Sequence, residues 1–315
     1  MHDRTLGRTG LKVSEVGFGA WGIGGMPEGA RAGYGPTDDD ESLRALEAAF
    51  DMGANFIDTA DAYGEGHSEQ VVGRFLRGRR DRVIVATKFG HKALPDGSPP
   101  LPTETNVRQL LAASLQRLGA DYVDVYQWHE FDLDLAREHD LPATMAKLKD
   151  EGLIRHAGLC VYGPTHIQQV IRGELGDVFE TIQESYNPTT LRFTDALRAA
   201  GDAGLGLIVR EPMGNGLLTG RLKTIEGLDP RDARARRDPQ QAAMRIEFSQ
   251  LLGELLPTSR RTLVQGLIRF ALQDIPAGVV IPGCKTVEQV RENLAASDAE
   301  PLTDDLIALI YELHD

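Results

Sequence analysis

Four residues whose side chains can hold or steer protons occupy similar positions along the chain. Asp58, Lys88 and His129 each end a short apolar run. Tyr63 follows the first of them within the same loop. Neighbouring strands of a sheet lie about 5 Å apart, so side chains at the ends of successive strands would converge on one small volume. Each residue alone has a structural explanation, such as a cap or a packed loop aromatic, but the four together in this order predict a site.

These side-chain types fit one device for moving a proton to or from an oxygen. A phenol titrates at about pH 10, and a lysine ammonium within hydrogen-bond reach stabilises the phenolate and lowers that pKa. A buried aspartate would hold the ammonium in place, and a histidine beside the phenol would orient a carbonyl oxygen. The matching reaction adds a proton to an oxygen whose carbon receives a hydride. Because no side chain supplies hydride, a redox cofactor is expected.

The elements that would position these residues alternate along the whole chain. Short apolar or β-branched runs predict eight strands, at residues 16–18, 55–58, 83–88, 123–129, 154–160, 181–185, 206–210 and 278–281. Helical periodicity predicts helices between and after them, at residues 37–52, 67–77, 106–118, 142–151, 164–171, 191–203, 261–273, 287–296 and 303–314. This alternation predicts an α/β fold, a (β/α)8 TIM barrel whose reactive groups lie at the C-terminal ends of the strands. A doubly wound sheet is disfavoured because its G-x-G-x-x-G turn is missing.

Three segments stand outside the regular alternation. Residues 5–13, with Gly7 and Gly10 as turn signals, predict a short N-terminal β-hairpin. Residues 22–36 are rich in glycine and predict a flexible loop, and residues 213–260 predict a long connection. No linker or low-complexity stretch divides the chain, so we expect one domain over residues 1–315.

The long connection carries four closely spaced arginines in an otherwise acidic protein: Arg231, Arg234, Arg236 and Arg237. Such a cluster is typical of a solvated loop. It is also compatible with a lid that closes over a phosphate-bearing ligand. The residues alone leave both interpretations open.

Composition and charge exclude several classes of protein. The chain of 315 residues has 34 Lys and Arg against 47 Asp and Glu, a net charge of −13. It therefore lacks the basic field that nucleic-acid binding requires. No apolar run approaches the roughly 18 residues of a membrane span, the N-terminal segment lacks the apolar core of a signal peptide, and two cysteines argue against a disulfide framework. We expect a cytoplasmic protein that binds neither nucleic acid nor membrane, and its oligomeric state stays open.

Four motifs resemble those of the aldo-keto reductase superfamily, and the likeness extends over essentially the whole chain. They are NFIDTADAYG at residues 55–64, VATK at 85–88, VDVYQWH at 123–129, and IPGCKTV at 281–287 with Glu292 and Asn293. The resemblance implies a (β/α)8 barrel that binds an extended nicotinamide dinucleotide. It implies that Tyr63 is the general acid in reduction and the base in oxidation, that Lys88 and Asp58 tune it, and that His129 orients the carbonyl.

The resemblance also implies a cofactor site. Gln183 would bind the nicotinamide carboxamide, and backbone groups of residues 212–218 would reach the pyrophosphate. The full expected set is Gly19, Ala20, Trp21, Asp58, Cys160, Val161, Gln183, Arg210, Glu211, Pro212, Met213, Gly214, Gly216, Leu217, Ile281, Gly283, Cys284, Lys285, Thr286, Gln289, Glu292 and Asn293. Trp21, Tyr63 and His129 would contact the substrate. No metal site is expected.

Three departures from the family pattern concern the cofactor. Cys160-Val161 stands where many members have Ser-Asn, and Arg210-Glu211 where many have an aromatic residue and Ser. Arg210 would then stack on the nicotinamide through its flat guanidinium. Gln289 occupies a position that is often an arginine bound to the adenosine 2′-phosphate. Lys285, Thr286 or an arginine of the long connection would compensate, so NADP(H) is favoured and NAD(H) is the alternative.

Two further points follow for function. The Cys160 thiol is either a small buried filler or, beside Lys88, an acidified and oxidation-sensitive group. The leading prediction is an NADP(H)-dependent reductase of aldehydes or ketones. The alternatives are an NAD(P)-dependent sugar or alcohol dehydrogenase, and a slow-turnover regulatory subunit that senses the cofactor, as the potassium-channel β-subunits of the superfamily do.

Overall fold

A computed structural model describes residues 1–27, 33–94 and 96–314 of the chain. The strands are β1 Asp3–Thr5, β2 Lys12–Ser14, β3 Phe18–Gly19, β4 Phe56–Asp58, β5 Ile84–Phe89, β6 Val123–Trp128, β7 Ile154–Cys160, β8 Phe179–Ser185, β9 Gly206–Arg210 and β10 Val279–Ile281. The helices are α1 Asp39–Asp51, α2 His67–Leu76, α3 Glu104–Leu118, α4 Leu133–Glu138, α5 Leu141–Asp150, α6 Pro164–Ile171, α7 Thr194–Asp202, α8 Pro239–Leu255, α9 Leu263–Asp274, α10 Val287–Leu294 and α11 Asp304–His314.

The predicted barrel is confirmed. Strands β3 to β10 pair in parallel and in chain order, and β1 and β2 form a separate antiparallel hairpin. Parallel bridges from Val16 to Val280 and from Gly19 to Gly283 connect the first strand to the last. This closure brings the C-terminal ends of all eight strands to one face, where their loops meet.

The core has two parts. Inside the barrel, strand residues such as Phe56, Val125 and Ile208 form one apolar cluster together with Leu6 and Val13 of the hairpin segment. The hairpin therefore plugs the N-terminal end of the barrel. A larger apolar cluster packs the helices against the outside of the strands.

The long connection predicted at residues 213–260 is partly wrong, because it contains the 17-residue helix α8. The local start signals are present: Asp238 accepts a hydrogen bond from the amide of Gln241, and Pro239 occupies the first turn. Few of its side chains are buried, so the apolar periodicity that identifies a helix is weak here. The short helix α4 was also missed. Part of the predicted glycine-rich loop, residues 28–32, lies outside the described residues.

Candidate active site

A cleft of about 1140 Å³ opens at the C-terminal face of the barrel. The loops after β3, β4, β5, β6, β9 and β10 all contribute lining residues. Tyr63 and His129 lie at one part of its wall, and Lys285 and Gln289 lie at another. Its size and shape allow an extended ligand to run from the predicted catalytic residues to the start of α10.

Three of the four predicted catalytic residues are joined by direct hydrogen bonds. The Lys88 ammonium donates to Asp58 Oδ2 at 2.5 Å and to the Tyr63 hydroxyl at 3.0 Å. A third bond, to the carbonyl of Thr59 at 2.8 Å, completes the ammonium's donor set. Lys88 has no exposed surface, so its position is fixed by these partners alone.

A close approach of two loops positions Tyr63. Gly64 follows it with φ of +58°, a conformation that L side chains rarely adopt. A Cβ at Gly64 would lie 1.9 Å from the carbonyl oxygen of Gly24, so no other residue fits there. The loop after β3 thus presses directly on the loop that carries the tyrosine. The position of the Tyr63 hydroxyl therefore depends on the contact between these two backbone segments as well as on its hydrogen bond to Lys88.

The charges at the site favour a neutral phenol and a charged ammonium. Burial raises the pKa of Tyr63 to about 12, although Lys88 acts in the opposite direction. Burial lowers the pKa of Lys88, but the electrostatic effects of Asp58 and Tyr63 together raise it by more. The pKa of Lys88 therefore lies above its usual value. Lys88 thus lowers the pKa of the phenol as expected, but desolvation is the larger effect and the net shift is upward.

His129 comes immediately after β6 and borders the same space. Its ring centroid lies 6.0 Å from that of Tyr63. Burial, assisted by the positive charge of Lys88, holds the pKa of His129 well below its usual value. Among the described residues its Nδ1 atom has no hydrogen-bond partner. The imidazole is therefore neutral at pH 7 and retains polar capacity for a ligand.

Two glutamines, one of them missed by the sequence analysis, hold the other side of Asp58. Asp58 Oδ1 accepts from Gln183 Nε2 at 2.8 Å and from Gln127 Nε2 at 3.2 Å. Gln183 also donates to Gln127 Oε1 at 3.2 Å. Both amide hydrogens of Gln183 are thus engaged within the protein, and its Oε1 remains as an acceptor in a residue that lines the cleft. Strand alternation could have found Gln127, since it shares a strand face with Val125.

A second buried carboxyl, Asp61, lies close by and has no such partners. It is 1% exposed, and neither carboxyl oxygen has a hydrogen-bond partner among the described residues. Burial and the nearby Glu69 raise the pKa of Asp61 to about 7. Glu69 itself is paired, accepting from Arg117 at 2.6 Å and from Thr87 at 2.6 Å. Asp61 also lines the cleft, so this end of the site contains a carboxyl that titrates near neutrality.

Cations at the far end of the cleft are already engaged. Lys285 Nζ donates to the carbonyls of Tyr34 at 2.8 Å and Pro36 at 3.1 Å. Arg221 pairs with Glu292 at 2.5 Å. Arg234 forms a bidentate pair with Asp232, at 2.9 and 2.7 Å. Lys285 and Arg234, which were expected to hold phosphates, are therefore present but carry partners from the protein itself. The same holds for Arg221, which the sequence patterns did not single out.

Most residues of the expected cofactor set line the cleft: Gly19, Ala20, Trp21, Asp58, Gln183, Arg210, Glu211, Pro212, Met213, Gly216, Ile281, Gly283, Lys285, Gln289, Glu292 and Asn293. The others do not: Cys160, Val161, Gly214, Leu217, Cys284 and Thr286. All of these except Thr286 are buried. Thr286 instead caps α10, accepting from the amide of Gln289 at 3.3 Å. Burial raises the pKa of Cys160 to about 12, which contradicts the idea of an acidified thiol.

Arg210 lies at the end of β9 on the cleft wall. It donates to Glu184 Oε1 and to the carbonyl of Val161, both at 3.4 Å. Its guanidinium carbon is 4.9 Å from the centroid of the Tyr162 ring. These contacts with Val161, Glu184 and Tyr162 hold the guanidinium, and its stacking on the nicotinamide stays a prediction.

Trp21 is the better placed of the two tryptophans. Its ring lies 6.1 Å from that of Tyr63 and 4.7 Å from that of Tyr34. Trp128 is buried outside the cleft against Phe131. In the part of the chain that the structure describes, no group of three His, Cys, Asp or Glu side chains could hold a metal ion. None of the helices described is long and apolar enough to span a bilayer.

Comparisons with known proteins agree with this geometry. Residues 15–315 match the profile of the Aldo/keto reductase family. An NADH-specific methylglyoxal reductase of Escherichia coli is 31% identical and is covered over 92% of each chain. The aldo-keto reductase yakc [NADP(+)] of Schizosaccharomyces pombe is 28% identical, over 96% of this chain and 89% of its own. The holo form of an aldo-keto reductase from Bacillus halodurans superposes with a TM-score of 0.79 at 28% identity, covering 100% of this chain and 97% of that one. The chain belongs to the aldo/keto reductase family of oxidoreductases, which reduce carbonyl compounds with a nicotinamide dinucleotide.

Proposed function

We propose that this protein is an NADP(H)-dependent reductase of aldehydes or ketones in which Tyr63 donates the proton. The observation that carries the proposal is the 3.0 Å bond between Lys88 Nζ and the Tyr63 hydroxyl at the wall of the cleft. This contact leaves a protonated phenol beside a fixed cation. Such an arrangement suits a general acid whose conjugate base must be stabilised.

The residues at the cleft fit a dinucleotide. The acceptor Oε1 of Gln183 matches a carboxamide NH₂, and Arg210 offers a flat cation at the end of β9. Lys285, Arg221 and Arg234 supply positive charge towards the other end of the cleft. A bound nicotinamide would supply the hydride, which no side chain can provide.

The chain's own residues account for the rest of the chemistry. Neutral His129 can donate one hydrogen bond to the carbonyl oxygen and so fix its place beside Tyr63. As the phenol gives up its proton, the Lys88 ammonium faces the new phenolate at hydrogen-bond distance. Asp58, held by Gln183 and Lys88, keeps that ammonium charged. Run in reverse, the same phenolate accepts a proton from an alcohol.

Cofactor preference is tested by titrating the protein with NADPH and, separately, with NADH while following tryptophan fluorescence. Trp21 lines the cleft, so a bound dinucleotide is expected to quench it. We expect NADPH to bind more tightly, because Lys285 bonds to backbone carbonyls rather than to a carboxylate and so keeps a positive charge for the 2′-phosphate. Equal or tighter NADH binding would instead mean that Gln289 leaves the 2′-phosphate without a partner, and NAD-linked oxidation of sugars or alcohols would become the leading function.

Turnover distinguishes the remaining alternative, a slow cofactor-sensing subunit. All four predicted catalytic residues are present: Asp58, Tyr63, Lys88 and His129. Lys88 bonds to both Asp58 and Tyr63, which supports catalysis. Many turnovers per protein molecule with a carbonyl compound would support the reductase, and a single slow turnover would support the sensor. Two cysteines that form no disulfide, Cys160 and Cys284, support a cytoplasmic location for either function.

A further inference from the structure

A second, smaller cavity of about 200 Å³ lies at the start of α8. It is lined by Leu217, Arg237, Asp238, Gln241, Ala242 and Arg245. Gln241 and Arg245 stand one turn apart on the same side of the helix, and Arg237 precedes it. Two guanidinium groups from different segments therefore border one small space.

The structure separates Arg237 from the other three arginines of its cluster. Arg231 pairs with Asp229 at 2.9 Å, and Arg234 pairs with Asp232 at 2.7 Å. Arg236 donates to the carbonyl of Pro230 at 3.3 Å. Arg237 has no ion pair or side-chain hydrogen bond among the described residues, and it is the one member that borders this cavity.

Positive charge accumulates around the cavity beyond Arg237. Burial and the proximity of Arg237 and Arg192 lower the pKa of Arg245, which is half-buried. Neither Arg245 nor Arg192 has a carboxylate within ion-pair distance in the described part of the chain. Arg237 and Arg245 border one small cavity and repel each other, an arrangement that an anion would stabilise.

Two carboxylates nearby offset part of this charge. The Asp238 carboxylate lines the cavity and is engaged as the cap of α8, accepting from the amide of Gln241 at 2.8 Å. Glu211 raises the pKa of Arg245 and so acts against the effect of Arg237. The first turn of α8 is thus already satisfied, and recognition here depends on the arginine side chains.

We propose that Arg237 and Arg245 form a binding site for a phosphate group, separate from the large cleft. The planar fork of a guanidinium presents paired N–H donors that match phosphate oxygens, and several such forks can share one dianion. The cavity is too small for a dinucleotide, so the ligand is a free phosphate or the phosphate end of a small molecule.

The cavity lies near the large cleft. Leu217 follows Gly216, which lines the cleft, and Arg237 is near enough to Tyr34 to lower its pKa against the stronger effect of burial. Tyr34 lines the cleft and bonds to Asn215 through its hydroxyl. A phosphorylated carbonyl substrate could therefore present its carbonyl to the cleft and its phosphate to the arginines.

Calorimetric titration with inorganic phosphate tests the site, first in the free protein and then with saturating NADPH so that the large cleft is filled. We expect binding in both conditions, weakened at least about tenfold in Arg245→Gln and Arg237→Gln, since each loses charge-assisted hydrogen bonds. Arg236→Gln, which removes the same charge from the same loop, should bind as the wild type does. Arg245→Lys should retain part of the affinity. Phosphate binding that is absent, or unchanged in Arg245→Gln and Arg237→Gln, would overturn the proposal.

A second comparison distinguishes the source of the phosphate and rests on the proposed reductase function. It measures kcat/KM for a short aldose and for its phosphate ester with NADPH. If the ester is preferred and Arg245→Gln removes the preference while leaving the aldose rate unchanged, the site serves the substrate. If phosphate binds but both compounds react alike, the site holds a free anion. Failure of all turnover would count against the proposed function without affecting the calorimetric result.

Discussion

Charged side chains at the two ends of the large cleft differ in burial and in the kind of partner they bond to. At the Tyr63 end, Lys88 and Asp58 are fully or almost fully buried and bond to each other at 2.5 Å. At the α10 end, Lys285 and Arg221 are partly exposed and bond to loop carbonyls and to Glu292. The first set is a closed network. The second set consists of separate contacts to neighbouring loops.

This difference indicates that the side chains at the Tyr63 end are held in their functional geometry before a ligand binds. A buried network with every donor engaged keeps one geometry, as catalysis of proton transfer requires. Exposed ion pairs contribute only about 0–1 kcal/mol each, so they exchange partners easily. We therefore expect substitutions at the Tyr63 end to change reaction rate and stability strongly, and those at the other end to change cofactor affinity weakly.

The largest effect is expected for Tyr63→Phe. Removing the hydroxyl removes the proton donor while leaving the ring in its loop, so kcat should fall by about 10²–10⁴-fold. Dinucleotide affinity, measured by tryptophan quenching, should stay within about twofold. Steady-state kinetics with wild-type-like kcat in the variant would show that another group donates the proton.

Asp61→Asn should stabilise the fold in a pH-dependent way. Because the pKa of Asp61 is raised to about 7, folding is favoured while the carboxyl is protonated. Stability of the wild type should fall as pH rises from about 4 to 7 and level off above 7, with a total on the order of 4 kcal/mol. The amide cannot ionise, so the variant should gain over the wild type across that window in urea unfolding.

Asp121→Asn is the matched control for that measurement, since Asp121 is exposed. It should show no comparable gain at any pH. Equal curves for the wild type and Asp61→Asn would mean that buried water satisfies the Asp61 carboxylate, and the Tyr63 end would then contain no unpaired acid.

Gln127→Leu should have a moderate effect on rate. It removes one donor to Asp58 and the acceptor that orients Gln183, and leaves the Lys88 contacts in place. We expect kcat/KM to fall by about tenfold, the size expected for losing a hydrogen bond to a charged group. Part of this fall should come from a higher KM for the cofactor. The pH dependence of kcat should shift as well, because Asp58 and Lys88 are less firmly held. Gln127→Glu would place a second carboxylate beside Asp58 and should be worse than Gln127→Leu.

The smallest effect is expected for Asp232→Asn at the other end. The amide oxygen can still accept from the backbone of Arg234, but the competing negative charge is gone. NADPH should bind about threefold more tightly, because the partly exposed Arg234 guanidinium no longer has the buried Asp232 carboxylate as a competing partner. A loss of affinity in the same titration would show that the Asp232–Arg234 pair positions the arginine instead of occupying it.

The part of the site that could be predicted from the sequence is the part where reactive side chains coincide with strand ends. Asp58, Lys88 and His129 each follow an apolar run, and parallel strands must bring such positions to one face, so their proximity could be predicted. Helix α8 was missed because few of its side chains are buried, which removes the periodic signal. The unpaired state of Asp61 and the engaged state of Lys285 depend on contacts between distant loops, such as Lys285 with Tyr34, that no local pattern encodes.

Transfer of label from the cofactor tests whether hydride from the nicotinamide and a proton from Tyr63 reduce the carbonyl group. The protein is mixed with NADPH carrying deuterium at the transferable position of the nicotinamide and with a panel of aldehydes and ketones, and the products are examined by NMR. We expect alcohols with deuterium on the former carbonyl carbon, formed over many turnovers by the wild type and hardly at all by Tyr63→Phe. Absence of labelled alcohol with every carbonyl compound, or equal amounts from both proteins, would contradict it.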